Sequence, residues 1–271
     1  MCGLAGLSLA DGALLDATAV TRLLAAGIAE RGSDATGFAY HDEAGEVQVE
    51  KDSLPLARFF ERLALPEGTR TAIAHVREFT KGVPGVNDNN HPIRYGAVVG
   101  AHNGHLSNDD ELFARFGKPR STARISVDSE AIMMLADTLG DVGDALELVH
   151  GAAAVAILRD GRPDRLTLAK RARRTLHLGR ADGICLFTST RPPLELAARA
   201  LGIDLHVEEL ADGTLLELHA GEVVERRRFH VDPARTGRHV EYPETPGKQL
   251  VLRRALSAFP AARGIRRPLA A

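Results

Sequence analysis

The chain of 271 residues contains only two cysteines, no tryptophan and 4% aromatic residues. Two thiols are too few for a disulfide framework or for a four-thiolate metal site. So few aromatic side chains make a base-stacking platform for single-stranded nucleic acid a poor interpretation. The 34 basic and 36 acidic residues leave a net charge of −2. A balance of this kind does not indicate a nucleic-acid partner.

Other absences narrow the location and the chemistry of the protein. No run approaches the roughly 18 apolar residues that a membrane span needs, and the first ten residues do not have the form of a secretory signal. We therefore expect a cytoplasmic protein with no membrane partner. Nucleotide-binding glycine loops, Cys-x-x-Cys pairs and His-Glu-x-x-His are also missing. His102 and His105 lie three residues apart with His91 nearby, but no carboxylate partner is evident, so we predict neither a metal nor a cofactor.

The apolar pattern predicts many short strands and two helices. The helices are expected from Asp16 to Glu30 and from Asp128 to Leu139, with Asp128 and Ser129 as caps of the second helix. Hairpin-linked strands without regular strand–helix alternation favour an α+β domain with antiparallel sheets. Strands are predicted at residues 2–10, 71–76, 97–101, 153–158, 166–169, 184–188, 205–208, 214–219 and 222–229.

The composition changes near residue 232, where proline, arginine, threonine and glycine become frequent. We predict one domain over residues 2–231, followed by a linker and C-terminal tail over 232–271 with a proline-glycine break at 243–247. Residues 250–259 have the spacing of a short amphipathic helix, so the tail is a hypothetical docking segment for a partner.

Cys2 is the residue whose position matters most. A free cysteine is commonly a small buried apolar residue, and that interpretation stays open for Cys2. Removal of Met1 would, however, place a thiol and an α-amine on one residue. Because the pKa of an α-amine lies at about 7.7–8.0, the amine can accept the thiol proton near neutral pH. Cys2 is therefore a candidate nucleophile that carries its own base.

Several motifs resemble, in order, those of the class II glutamine amidotransferases. This N-terminal-nucleophile family includes the glutaminase domain of glucosamine-6-phosphate synthase, and the similarity extends over roughly residues 2–230. The motifs are Met-Cys-Gly-Leu-Ala-Gly at 1–6, Arg-Gly-Ser-Asp-Ala-Thr-Gly at 31–37, Ala-His-Val-Arg at 74–77, Thr-Lys-Gly at 80–82, Asn-His-Pro at 90–92, Ala-His-Asn-Gly at 101–104 and Val-Asp-Ser-Glu at 127–130.

The resemblance implies a fold, a reaction and a set of roles. The fold is a four-layer αββα sandwich, and the reaction is hydrolysis of the glutamine amide through a thioester on Cys2. Arg77 would bind the α-carboxylate of L-glutamine, and Asp128 would bind its ammonium group. The Asn103 side chain and the Gly104 backbone N–H would form the oxyanion hole. Three further residues would shape the glutamine pocket, namely Arg31, Thr80 and Gly82.

Each role has a plainer alternative. Arg77 could be a surface arginine at a strand end, Asp128 a helix cap, and Asn103-Gly104 a hairpin turn. The sequence also departs from the synthase pattern, which has Trp-Ala in place of Glu78-Phe79 and His in place of Lys81. These departures put loop closure and glutamine affinity in question.

The partner and the substrate class stay open at the level of sequence. Only about 40 residues follow the last predicted strand, so we expect the ammonia acceptor to be a synthase on another chain, unless the protein is a free glutaminase. Hydrolysis of another amide and a non-catalytic glutamine-binding subunit are the alternatives. A nucleic-acid role for the arginines at 226–228 has little support, and the sequence leaves a homo-oligomer open.

Overall fold

The computed structural model describes residues 2–236, which contain 13 strands and six α-helices. The strands are β1 (Gly3–Leu9), β2 (Ala35–His41), β3 (Val47–Asp52), β4 (Thr71–Arg77), β5 (Ile93–Tyr95), β6 (Val98–Leu106), β7 (Gly151–Arg159), β8 (Arg165–Ala172), β9 (His177–Ala181), β10 (Ile184–Thr188), β11 (His206–Glu209), β12 (Thr214–His219) and β13 (Glu222–Arg228). The helices are α1 (Ala17–Ile28), α2 (Leu56–Phe59), α3 (Asp109–Phe116), α4 (Ser129–Leu139), α5 (Val142–Leu148) and α6 (Arg191–Leu201).

The strands form two antiparallel sheets. The first sheet has seven strands in the order β11-β9-β10-β1-β4-β2-β3, and the second has six in the order β13-β12-β8-β7-β6-β5. All seven residues of β1 are buried, and the strand lies between β4 and β10. The prediction of a buried strand at the start of the chain is therefore confirmed, and Cys2 lies at the entrance to a central strand.

Three apolar clusters hold four layers together. Helices α1 and α6 pack on the outer face of the first sheet, and α4 and α5 pack on the outer face of the second. Between the sheets, Leu4, Ile73, Val99, Ala156 and Phe187 belong to a third cluster. Burial of apolar surface on both faces of each sheet supplies the main driving force for this arrangement. The predicted four-layer αββα sandwich of antiparallel sheets is confirmed.

Both predicted helices are present, but two helices proved too few. The sequence analysis missed the short helix α2 as well as α3, α5 and α6. Helix α3 is largely polar and buries little more than Leu112 and Phe113, so its apolar periodicity is weak. Helix α6 begins with an arginine and two prolines, which resemble a loop in sequence but are tolerated in the first turn of a helix.

The remaining expectations concern the outermost strand and the predicted tail. Strand β13 is an edge strand whose arginines form ion pairs, among them Arg226 with Glu208 and Arg227 with Asp141. The linker at 243–247 and the helix at 250–259 lie outside the described residues. Among the helices of residues 2–236, none has the length and apolar character to cross a lipid bilayer.

Candidate active site

Cys2 directly precedes β1 and is partly buried. Its thiol donates to the Glu78 carbonyl oxygen at 3.2 Å, while Arg31 Nε donates to the Cys2 carbonyl oxygen at 2.9 Å. Burial raises the pKa of the Cys2 thiol, and the nearby Arg77 and Arg31 guanidinium groups oppose this only in part. The thiol is therefore protonated at neutral pH, and an attack by its sulfur needs a base. Arg31 positions the backbone of the candidate nucleophile.

Arg77 ends β4, beside the start of β1, and is only 2% exposed. Its Nη1 donates to Asn90 Oδ1 at 2.7 Å, and its Nη2 donates to the carbonyl oxygens of Lys81 and Gly82 at 2.7 and 2.6 Å. Burial lowers the pKa of Arg77, whereas Cys2 and Asp128 favour its charged form. The alternative of a surface arginine is wrong, because this guanidinium is buried and hydrogen-bonded to residues 78–92. These residues are called the 78–92 loop.

The 78–92 loop is tied to the segment before α4. Gly82 has a φ of +80°, and a Cβ at this position would lie 2.8 Å from Asn89 Cγ. Asn89 Oδ1 accepts hydrogen bonds from the backbone N–H groups of Ser126 and Val127 at 2.7 and 3.1 Å. Only glycine therefore lets the loop pass this close to Asn89, whereas Thr80 lies exposed in the same loop.

Asn103 and Gly104 lie within β6, paired with Ala154 and Ala153 of β7, so the hairpin-turn alternative is wrong. Asn103 is 4% exposed, and its Nδ2 donates to Ser189 Oγ at 2.7 Å while its buried Oδ1 has no hydrogen-bond partner within residues 2–236. Gly104 has a φ of +156°, and a Cβ there would lie 1.9 Å from the Ala152 carbonyl oxygen. A side chain at position 104 is thus excluded.

The strand carrying Cys2 is joined to Asn103 through Ser189. The Leu4 N–H donates to Ser189 Oγ at 2.7 Å, and the Ser189 hydroxyl also lies 3.1 Å from the Leu4 carbonyl oxygen. Two hydrogen bonds therefore connect the Asn103 amide to a residue two positions after Cys2.

Asp128 lies immediately before α4 and is 3% exposed. Its side chain does not cap the helix, so that prediction was wrong. Instead Oδ2 accepts from the Leu106 N–H at 2.7 Å and lies 3.3 Å from His105 Nδ1. Burial opposes ionisation, but hydrogen bonds from His105 and Leu106 and the nearby His102 outweigh it and hold the pKa of Asp128 below its ordinary value. The site therefore contains a buried carboxylate anion.

A histidine cluster joins these groups, and the sequence analysis noted His91 and His102 but not their association with His75. The rings of His75 and His91 are 4.3 Å apart, and Ser129 Oγ lies 2.8 Å from His91 Nε2 and 2.9 Å from His102 Nδ1. Burial lowers the pKa of His75 to about 3 and also lowers the pKa values of His91 and His102, so all three are neutral at pH 7. The signal was available, because each histidine stands in one of the motifs and Ser129 follows Asp128.

The hydrogen bonds define the protonation of this cluster. His102 Nε2 is 3.2 Å from the Ala152 carbonyl oxygen, which only accepts, so Nε2 carries the His102 proton. His102 Nδ1 then accepts from the Ser129 hydroxyl, and Ser129 Oγ in turn accepts from His91 Nε2. Within residues 2–236, no three histidine, cysteine, aspartate or glutamate side chains are placed to hold a metal ion. The cluster links the 78–92 loop, β6 and α4.

Cys185 is distinct from this site. It lies in β10 at 1% exposure, and burial raises the pKa of its thiol to about 12. The prediction that this second cysteine is structural agrees with that environment, because a buried neutral thiol is a poor nucleophile.

A comparison with known proteins identifies relatives of this chain by sequence. A family model described as a glutamine amidotransferase domain matches residues 83–195. The glutamine–fructose-6-phosphate aminotransferase (isomerizing) of Pseudomonas aeruginosa is 31% identical over 150 residues, covering 52% of this chain and 24% of the relative. The enzyme of that name from Lactiplantibacillus plantarum is 26% identical over 251 residues, covering 86% of this chain and 40% of the relative. The chain thus spans less than half the length of these curated relatives.

Two solved structures share the fold. Glutamine phosphoribosylpyrophosphate amidotransferase from B. subtilis, complexed with ADP and GMP, matches with a TM-score of 0.69 and 21% identity over 85% of this chain and 50% of its own. A glutamine aminotransferase class-II domain protein from Silicibacter pomeroyi matches with a TM-score of 0.55 and 16% identity over 84% of this chain and 100% of its own. At these identities the likeness establishes a common architecture.

Proposed function

We propose that the chain, which matches a glutamine amidotransferase domain model over residues 83–195, is a class II enzyme that hydrolyses the side-chain amide of L-glutamine to glutamate and ammonia, with Cys2 as the nucleophile. The observation that carries the proposal is the convergence of a thiol, a buried guanidinium and a buried carboxylate. Cys2 contacts the residue after Arg77, and Arg77 is joined through Asn90 and the adjoining His91 to Ser129, the residue after Asp128.

The two charged groups of glutamine match the two charged side chains. Arg77 binds the α-carboxylate, and Asp128 binds the α-ammonium as an anion inside the protein. Three of the five N–H groups of Arg77 already donate to Asn90, Lys81 and Gly82. A bidentate carboxylate contact needs two adjacent N–H groups, so glutamine displaces at least one loop carbonyl. Substrate binding is thereby coupled to a shift of the 78–92 loop.

The chemistry requires deprotonation of Cys2 before attack. Once Met1 is removed, the α-amine of Cys2 takes the thiol proton, and the sulfur attacks the amide carbon. The Asn103 amide turns from Ser189 to the developing oxyanion, and the Gly104 N–H also donates a hydrogen bond to that oxyanion. Collapse of the tetrahedral intermediate breaks the C–N bond, and the proton on the α-amine passes to the departing nitrogen. Water then hydrolyses the γ-glutamyl thioester to glutamate and regenerates the thiol.

We assign the released ammonia to an acceptor synthase on another chain. All 13 strands described within residues 2–236 belong to the two sheets of the sandwich, which supports an acceptor active site outside these residues. We propose that hydrolysis and transfer both take place in the cytoplasm, the location expected from the sequence.

Replacement of Cys2 tests the proposal, with Cys185 as the matched control. Cys2→Ala should abolish release of ammonia from glutamine, while Cys185→Ala should retain it, because Cys185 is buried away from the site. A glutamine-analogue electrophile should label Cys2 alone, and intact mass should show loss of Met1. Full glutaminase activity in Cys2→Ala would contradict the proposal.

A further inference from the structure

His105 is the exposed partner of the carboxylate assigned to the substrate ammonium. It follows Gly104 in β6, and its Nδ1 lies 3.3 Å from Asp128 Oδ2. The His105 side chain is 54% exposed, whereas the Asp128 side chain is 4% exposed. The position of His105 therefore matters for any cation that approaches Asp128 from solvent.

The other contacts of Asp128 come from inside the protein. The Leu106 N–H donates to Oδ2, and the Ser129 hydroxyl lies 3.4 Å from Oδ1. Neither group carries a positive charge, so among residues 2–236 His105 is the one direct contact of Asp128 that becomes cationic on protonation. An imidazolium at this distance neutralises the carboxylate that an ammonium ion would otherwise meet.

We propose that His105 and the ammonium group of the substrate compete for Asp128, so that glutamine binding releases a proton from His105. This inference rests on the proposed function, which assigns the ammonium to Asp128. An imidazolium and an ammonium on one carboxylate repel each other, whereas a neutral imidazole can accept a hydrogen bond from the ammonium. His105 thereby makes glutamine affinity sensitive to pH.

The charges around His105 fix the sign of the effect. Asp128 raises the pKa of His105 above 6.5 and Asp109 acts in the same direction, whereas partial burial and Lys81 oppose them. His102, which lies on the same strand as His105, is neutral at pH 7. Below the His105 pKa one proton must leave for each glutamine bound, so affinity should fall about tenfold per pH unit. Above that pKa the affinity should become independent of His105.

A binding titration tests the competition without turnover. In the Cys2→Ala chain, the Kd for glutamine should rise about tenfold per unit as pH falls below the His105 midpoint. In Cys2→Ala/His105→Gln this dependence should disappear, while Cys2→Ala/His206→Gln, which alters an exposed histidine on β11, should keep it. Glutaric acid monoamide has no ammonium group, so its Kd should be flat in all three chains.

The proton itself is followed by NMR. The His105 resonance, assigned by its loss in His105→Gln, should titrate at a lower pH when glutamine saturates the Cys2→Ala chain, because linkage is reciprocal. Asp128→Asn should lower the midpoint in the absence of ligand. A glutamine Kd independent of pH, or a midpoint unmoved by glutamine, would overturn the competition and leave the proposed function standing. A chain that neither binds nor hydrolyses glutamine would overturn both.

Discussion

Asn103 combines a resting hydrogen bond with a proposed catalytic one. Its Nδ2 donates to Ser189 Oγ, and the oxyanion would take over this donor as charge develops. Asn103→Ala should therefore lower kcat by about 10²–10³-fold with little change in KM, since the contact strengthens only in the transition state. Steady-state kinetics on glutamine would measure both constants.

Ser189→Ala provides the comparison for this prediction. It removes the resting partner of Asn103 but leaves the amide donor in place, so a much smaller loss of kcat is expected. An equal loss in both variants would indicate that Asn103 acts by holding Ser189 and β1 in place, and the oxyanion role would be wrong.

At the residue scale, the sequence motifs identified the site residues better than they predicted the surroundings of those residues. The sequence singled out Arg77 and Asp128, and both prove to be buried and charged. It could not show that loop carbonyls accept hydrogen bonds from Arg77 or that His105 contacts Asp128, because these contacts depend on tertiary packing. Ser129 was interpreted only as a helix cap, although its hydroxyl bridges two histidines.

The 78–92 loop is anchored at Lys81, where the sequence departs from the synthase pattern. Lys81 Nζ lies 2.8 and 2.6 Å from the two carboxylate oxygens of Asp109, whose side chain is 3% exposed. Arg120 holds the same carboxylate at 2.7 Å. Because the Lys81 carbonyl also accepts from Arg77, this ion pair fixes one wall of the carboxylate pocket.

Glutamine has to displace a loop carbonyl from Arg77, and the ion pair of Lys81 with Asp109 resists that shift. Lys81→Ala should therefore lower KM for glutamine and leave kcat nearly unchanged. Loss of about 1 kcal/mol of loop anchoring corresponds to about a fivefold change in KM. Lys118→Ala, at an exposed lysine just after α3, is the matched control and should behave like the parent chain. An unchanged KM in Lys81→Ala would show that the ion pair does not hold the loop against the shift that glutamine binding requires.

Elements were predicted where local pattern and burial agree. The apolar run of β1 and the periodicity of α1 are local signals, and both elements were found. Strands β2 and β3 were missed because glycine, polar residues and charges interrupt their runs. In the structure β2 pairs with β4, and β3 pairs with β2. Such strands acquire their hydrogen bonds from partners distant in sequence, which a local pattern does not contain.

For the whole molecule, the neutral histidine cluster predicts acid sensitivity. Burial lowers the pKa values of His75, His91 and His102, so at mildly acidic pH the unfolded chain binds protons that the folded chain does not bind. Stability should be independent of these groups above their unfolded pKa and fall as pH drops below about 6.5. Each histidine contributes about 1.4 kcal/mol per pH unit, so the three together lower the free energy of unfolding by up to about 4 kcal/mol per pH unit.

Urea unfolding at pH 7.5, 6.5 and 5.5 would measure this dependence. The carboxylates ionise at lower pH, so the histidines should dominate the slope in this window. A free energy of unfolding that stays constant between pH 6.5 and 5.5 would mean that the cluster accepts protons without cost, and its assignment as buried and neutral would be wrong.

The chain after the sandwich is the part whose role is hypothetical, and truncation after Pro243 separates hydrolysis from transfer. The three apolar clusters and every proposed site residue lie within residues 2–236, so the truncated chain should fold and hydrolyse free glutamine at the parent rate. If residues 250–259 dock a separate acceptor enzyme, truncation should abolish glutamine-dependent transfer and preserve transfer from added ammonium. Full glutamine-dependent transfer by the truncated chain would show that the tail does not recruit the acceptor. Loss of folding would show instead that the tail belongs to the core, because a docking segment contributes nothing to the stability of the sandwich.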